Sequence, residues 1–303
     1  MNASAGLELR SGQSLLSVSS ETGKLARLEC RGSNLFVSPL DHELEQALKD
    51  DNRNQFGSLD AWGGDECFPT VGGSSLWQIR DHGALWAKAP AIQFAQSHHC
   101  TTGWQTGAAQ FKRSIFPVTD PLPQNRLGAY AFHCEFPASL PCAGEDGHTL
   151  PQMHLLSLYA SHALFEAEPG DRVEWGTLPQ ALTWDDALTG AFSTHVAASR
   201  VFAEDGAKVA SKFYVRTEPR SIFCTSLLRK RLGLRIDVLQ DDALPWVGIW
   251  WCHNGWGDGR PHSTVGIEPT NLPSDGPVLS FGGTPDSGQK TVRFAWVISK
   301  YTE

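Results

Sequence analysis

The sequence predicts an all-β chain of short, mostly antiparallel strands. Turn formers are dense, with 29 glycines and 18 prolines against 2 methionines in 303 residues. Apolar and polar residues alternate with period two in short runs. In the opening segment these runs follow one another at roughly ten-residue intervals, with turn residues between them, which is the spacing of a meander.

Taken in order, Leu7-Glu8-Leu9-Arg10 alternates, Ser11-Gly12-Gln13 turns, and Leu16-Ser17-Val18-Ser19 alternates again. Glu21-Thr22-Gly23 turns before a third strand from Lys24 to Cys30. Asp41 to Asp50 reads as a helix: Asp41 caps it, Glu43 and Glu45 suit the positive end of its dipole, and Leu44 and Leu48 share a face. Residues 52–90 are rich in Gly, Trp and Asp and lack periodicity. An irregular stretch of that length inside a compact domain commonly carries function. Further strands are predicted at 110–117, 129–136, 153–159, 208–216, 220–228, 232–239, 246–252, 263–268 and 291–299. Pro137 to Pro151 reads as a surface loop. With no linker or repeat in sight, 1–303 reads as a single domain of two large packed sheets.

Composition narrows the function. A net charge of −8 and no Lys/Arg block longer than Arg229-Lys230-Arg231 argue against nucleic acid and anionic membranes as partners. Residues 1–20 lack the basic and apolar regions of a secretory signal, and no apolar run approaches the ~18 residues of a membrane span. Seven cysteines without a CxxC pair read as reduced thiols of a cytoplasmic protein. The oligomeric state cannot be read from this pattern.

The chemistry concentrates near the C-terminus. Trp250-Trp251-Cys252-His253-Asn254-Gly255-Trp256 is followed by Thr264-Val265-Gly266-Ile267-Glu268-Pro269-Thr270. Aromatic faces beside a fixed carboxylate suit a monosaccharide or small carbohydrate, whose C–H faces stack and whose hydroxyls need acceptors. No Gly-x-Ser-x-Gly elbow, Walker loop or Gly-x-Gly-x-x-Gly occurs. His98-His99-Cys100 and Cys252-His253 with His262 fit no closed zinc spacing. Asp65-Glu66 lacks the Asp-x-Asp-x-Asp loop of a calcium site. No metal or other cofactor is therefore expected.

Three ordered segments carry a family likeness: Gly63-Gly64-Asp65-Glu66-Cys67-Phe68-Pro69-Thr70 with Asp81-His82-Gly83-Ala84-Leu85-Trp86; Ser161-His162-Ala163-Leu164-Phe165-Glu166; and Gly266-Ile267-Glu268-Pro269-Thr270. Together they resemble a divergent branch of the aldose 1-epimerase (galactose mutarotase-like) superfamily. The Asn-Gly-x-x-x-x-His-Gly-Gly pattern of ordinary galactose mutarotases is absent. The resemblance implies a β-supersandwich with a sugar in an open cleft, and interconversion of α and β anomers without a cofactor. It assigns the base to Glu268, the acid to His162 and a companion role on the ring oxygen to His82, although either histidine could reach that oxygen.

That chemistry suits these residue types. Ring opening takes a proton from the anomeric hydroxyl and delivers one to the ring oxygen. A carboxylate is ionised at neutral pH, and an unperturbed imidazole, with a pKa of ~6.5, offers both of its forms there. Asp65, Glu66, Arg53 and Lys212 are the candidates to hold hydroxyls, and Trp62, Trp86 and Trp251 to stack on the ring. Other readings stay open: a carbohydrate-binding protein without catalysis, a glycoside hydrolase or lyase using Asp65 or Glu66 as second carboxylate, or a sugar-phosphate epimerase drawing on Arg80 and Arg260.

Overall fold

The alternation of Leu7 to Cys30 becomes a meander of three strands, β1 (Leu7–Ser11), β2 (Ser14–Val18) and β3 (Leu25–Cys30). The computed structural model describes residues 6–39, 62–74, 82–83, 85, 90–96, 98–106, 109–119, 121–143, 149–202, 209–253, 263–282 and 288–302. The predicted helix at 41–50 lies outside them.

The meander opens a nine-stranded sheet. Along its path follow β5 (Gly64–Cys67), β12 (Ala160–Ala167), β19 (Ser263–Thr270), β18 (Trp246–His253) and β15 (Val209–Arg216), while β4 (Ser33–Asn34) pairs with β3 off the path. A second nine-stranded sheet runs β14 (His195–Val201), β13 (Arg172–Thr177), β16 (Phe223–Arg229), β17 (Leu234–Gln240), β21 (Gln289–Lys300), β9 (Arg126–Pro137), β8 (Ala109–Pro117), β7 (His99–Thr106), β6 (Ala91–Gln96). A third, small sheet joins β10 (Ser139–Ala143), β11 (Thr149–Leu156) and β20 (Val278–Phe281). Every pairing between the described strands is antiparallel, and the all-β expectation holds.

The two large sheets share one apolar core. Trp296 of β21 is fully buried and touches Phe36 and Phe165 from the first sheet's side and Phe132 and Phe294 from its own. Phe111 of β8 stacks on Tyr159, 5.7 Å between centroids. On the outer face of the second sheet lies a short helix, α1 (Trp184–Thr189). Thr183 caps it and exchanges hydrogen bonds with Asp186. Trp184, Ala187 and Leu188 pack there against Ala129, Leu239, Ala295 and Val297.

The structure differs from the sequence reading in places with identifiable causes. The predicted surface loop at Pro137 to Pro151 contains β10 and the start of β11. Pro141 is tolerated because β10 is an edge strand. The strand predicted over 153–159 ends at Leu156. β12 gave no periodic signal because nearly all of its residues are buried, so neither face is polar. β14 is exposed at all seven positions and lacks alternation for the opposite reason. The stretch read as irregular, 52–90, contributes the short strand β5.

Candidate active site

Register assembles the site. In an antiparallel sheet, directly opposed residues share a face. Asp65 of β5 opposes His162 of β12. The pairs Ala163–Ile267 and Ala160–Thr270 set His162 opposite Glu268 of β19. Glu268 opposes Gly248 of β18, and Gly248 opposes Tyr214 of β15. One row across five strands thus reads Asp65, His162, Glu268, Gly248, Tyr214, on the face turned away from the second sheet.

The missing side chain in that row matters. A Cβ on Gly248 would lie 3.2 Å from both Lys212 Cε and Tyr214 Cε1, and 3.4 Å from Glu268 Oε2. The gap lets Lys212 reach across β18, placing Nζ 2.7 Å from Glu268 Oε2. Lys212 Nζ also lies 2.5 Å from Asp275 Oδ1, which accepts a hydrogen bond from the Tyr214 hydroxyl at 2.6 Å. The Asp275 carbonyl accepts in turn from the Gly72 amide and from the Thr70 hydroxyl, which ties the loop after β19 to the loop after β5.

On the other side of Glu268, Oε1 lies 3.5 Å from His162 Nε2. The His162 and His82 rings are 5.2 Å apart. His82 sits at φ +56° and its neighbour Gly83 at φ +74°. A Cβ on Gly83 would fall 2.2 Å from the Phe68 carbonyl oxygen, so only glycine allows this close approach to the end of β5. Cys67, His82 and His162 bring their ligand atoms within 4.8 Å of one another.

Burial sets the electrostatics. Glu268 is 1% exposed. Its desolvation raises the carboxyl pKa above the ordinary range, and the Lys212 ammonium opposes the rise. Lys212 responds oppositely: burial acts to lower its pKa, but Glu268, Tyr214 and Asp275 outweigh it and hold the amine protonated. His162 is driven well below the ordinary histidine value by burial first, then by His82, Lys212 and Lys24. The sequence expectation that this imidazole offers both forms at neutral pH therefore gives way: His162 is neutral there, and it can donate only as an uncharged N–H.

The other sequence candidates divide by strand parity. Asp65 lies on the site face, paired with Lys24, whose ammonium sits 4.7 Å from the centre of the Trp62 ring. Trp62 is half-buried and packs in a small cluster with Leu164, Val37 and Trp250. Glu66 points the opposite way, since neighbours in a strand face opposite sides. It is bound in the core by Arg113 at 3.2 Å and by the Tyr159 hydroxyl at 2.7 Å. Trp251 also points into the core, stacked on Phe202 at 3.6 Å, whereas Trp250 opposes Gly266 on the Glu268 face. Placing Glu66 and Trp251 among the sugar contacts is therefore corrected by the parity of their strands. Arg53 and Trp86 lie outside the described residues, as do Arg80, Arg260 and Trp256.

Sequence reading missed Asp275, Tyr214, Lys24 and Cys67. Tyr214 and Cys67 were accessible by parity, being two residues from Lys212 and Asp65. Asp275 carries no local signal, because only the folded loops bring it to Lys212.

No family model matches the chain, and no curated protein matches it. Solved structures do. A protein of Escherichia coli K12 provisionally named an aldose 1-epimerase aligns at TM-score 0.60 and 12% identity, over 98% of this chain and 99% of its own. A galactose mutarotase related enzyme from Lactobacillus acidophilus aligns at 0.59 and 10%, over 98% of each chain. A galactose 1-epimerase from Lactobacillus acidophilus NCFM aligns at 0.50 and 10%, over 97% of this chain and 93% of its own. These likenesses show the fold, which is galactose mutarotase-like across nearly the whole chain.

Proposed function

We propose that the protein is an aldose 1-epimerase-like isomerase that interconverts the α and β anomers of a free, uncharged sugar. One observation carries the reading: a buried carboxylate with an imidazole nitrogen 3.5 Å from one oxygen and a lysine ammonium 2.7 Å from the other. A base and a proton donor that close together can reach the two oxygens attached to one anomeric carbon. The fold shared with proteins named for this reaction adds to it.

In this mechanism Glu268 takes the proton of the anomeric hydroxyl. The C1 to ring-oxygen bond breaks as the hydroxyl oxygen becomes the carbonyl. His162 gives the proton of its neutral N–H to the ring oxygen as negative charge develops there, leaving an imidazolate that takes the proton back when the ring closes. His82 stands beside His162 and supports the same oxygen. Rotation about C1–C2 presents the other face of the aldehyde, and closure runs the steps in reverse. Lys212 opposes the rise that burial imposes on the Glu268 pKa and so favours its ionised form, and Asp275 and Tyr214 hold Lys212 in place.

Charge supports an uncharged substrate. Lys24 and Lys212 are matched by Asp65, Glu268 and Asp275. Among the described residues no surplus of cations awaits a phosphate, as a sugar-phosphate epimerase would require. A hydrolase needs a second carboxylate some 5–9.5 Å across the scissile bond. Glu66, bound in the core by Arg113 and Tyr159, is on the wrong face for that role. We place the protein in the cytoplasm, a reading supported by seven buried cysteines held as thiols. No helix among the described residues is long and apolar enough to cross a membrane.

Proton exchange spectroscopy on a panel of equilibrated aldoses tests the proposal. The wild-type protein is expected to speed exchange between anomeric signals of at least one sugar. Glu268→Gln should keep sugar binding and lose about 10²–10⁴-fold in exchange rate. Unchanged exchange in that variant overturns the assignment, and binding without exchange in the wild type identifies a carbohydrate-binding protein instead.

A further inference from the structure

We propose that Cys67, His82 and His162 form a binding site for a zinc-class divalent metal ion, which the epimerase reaction neither needs nor explains. Their three ligand atoms lie within 4.8 Å of one another. A tetrahedral zinc with bonds of about 2.0–2.3 Å brings its nitrogen and sulfur donors to roughly 3.3–3.6 Å apart. Closing the trio on an ion therefore takes movements of about an ångström, within reach of small side-chain rotations. The rings are already suitably placed. Two imidazoles on one tetrahedral zinc have ring centres roughly 5 Å apart, and those of His82 and His162 are 5.2 Å apart.

The donor chemistry selects the ion. A thiolate and two imidazoles are soft to borderline ligands, suited to zinc or cobalt and poorly suited to magnesium or calcium. Three protein ligands leave a fourth position for water or another oxygen ligand. Glu268 borders the site, 3.5 Å from His162 Nε2. Binding converts the Cys67 thiol to a metal thiolate and releases its proton to solvent, so the ion adds one net positive charge. The local balance accepts it, because Lys24 and Lys212 are both engaged by carboxylates and the three carboxylates exceed them by one.

The metal and the sugar would compete. An ion on His162 and His82 withdraws both imidazoles from a sugar ring, so occupancy blocks anomer exchange. That consequence rests on the proposed function; the binding itself does not.

Cobalt(II) titration of the full-length, chelator-stripped protein tests the site directly. The expected result is a near-ultraviolet thiolate-to-cobalt charge-transfer band with the visible bands of four-coordinate cobalt, both bleached by zinc. Cys67→Ser should abolish the charge-transfer band, while the other six cysteines, left in place, serve as internal controls. His82→Ala, at a half-buried position, is the second variant should Cys67→Ser fail to fold, and it should weaken cobalt binding at least tenfold. No charge-transfer band with the folded wild-type protein overturns the proposal, as does an undiminished band in Cys67→Ser or unweakened binding in His82→Ala. A parallel exchange experiment with zinc separates the two readings. Zinc inhibition in competition with sugar supports both. An intact band with zinc-insensitive exchange upholds the metal site and counts against the catalytic roles given to His162 and His82, whereas an intact band with no exchange activity at all upholds the metal site and counts against the epimerase assignment.

Discussion

At the scale of single residues, the site is governed by the contest between burial and neighbouring charge at Glu268. Desolvation raises its pKa and Lys212 lowers it again. The ascending limb of the pH profile of kcat/KM for anomer exchange should therefore lie above the usual carboxylate range, since the base must be ionised to act. Lys212→Met removes the opposing charge, so the limb should move to higher pH while the plateau falls. A pH-rate profile in which the variant's limb moves down, or stays put, contradicts the role given to Lys212. The same shift has a stability sign. A carboxyl whose folded pKa exceeds its unfolded value favours the folded state at low pH, and that contribution is lost as pH rises through the folded pKa. In Lys212→Met the folded pKa climbs further, so denaturation from about pH 5 to pH 8 should show the variant losing more stability than wild type.

At the scale of elements, two glycines let neighbouring segments approach closely enough to build the site. Gly83, at φ +74° with its would-be Cβ 2.2 Å from Phe68 O, joins the His82 segment to the end of β5. Gly83→Ala should cost about 1–3 kcal/mol for the backbone conformation, with the clash adding to it. It should also displace His82, so thermal unfolding and exchange rate ought to fall together. Gly248 presents a gentler case. The nearest atoms to an alanine Cβ there belong to the side chains of Lys212, Tyr214 and Glu268, at 3.2–3.4 Å, and none is backbone. Gly248→Ala should fold with little change in Tm yet exchange anomers more slowly, because Lys212 loses its path to Glu268. Normal activity in that variant would show that the crossing of Lys212 over β18 is incidental.

At the scale of the whole molecule, the site sits on the outward face of one sheet and its rigidity comes from the core behind it. Phe165, three residues along β12 from His162, packs against Trp296 of the second sheet. Trp296→Ala should cost about 3–5 kcal/mol in a denaturant titration, the usual range for emptying a buried tryptophan site. The Arg113–Glu66–Tyr159 network lies on the same inner side, directly beneath the strands that hold Asp65 and His162. Both Glu66 carboxylate oxygens find partners within the core, Oε1 in Arg113 and Oε2 in the Tyr159 hydroxyl, which is why Glu66 serves the scaffold although its neighbour Asp65 faces the other way.

Much of this was legible in the chain alone. Punctuation by glycine and proline, and the short strand-like runs at 110–117, 232–239 and 291–299, were enough to read an antiparallel β protein, because alternation is a local consequence of one buried and one polar face. The ordered motifs around His82, His162 and Glu268 indicated where chemistry was to be sought. Strands without alternation escaped that reading: β12 because it is buried on both faces, β14 because it is exposed at every position. Which side of each strand meets the site is a matter of register between distant segments. Only the folded sheets could separate Asp65 from Glu66 and Trp250 from Trp251, pass Lys212 across Gly248 to Glu268, and bring Asp275 from a loop to hold it. Composition and period are properties of neighbouring residues, whereas pKa, contact and access depend on which strands pair, and pairing is decided by the burial of the molecule as a whole.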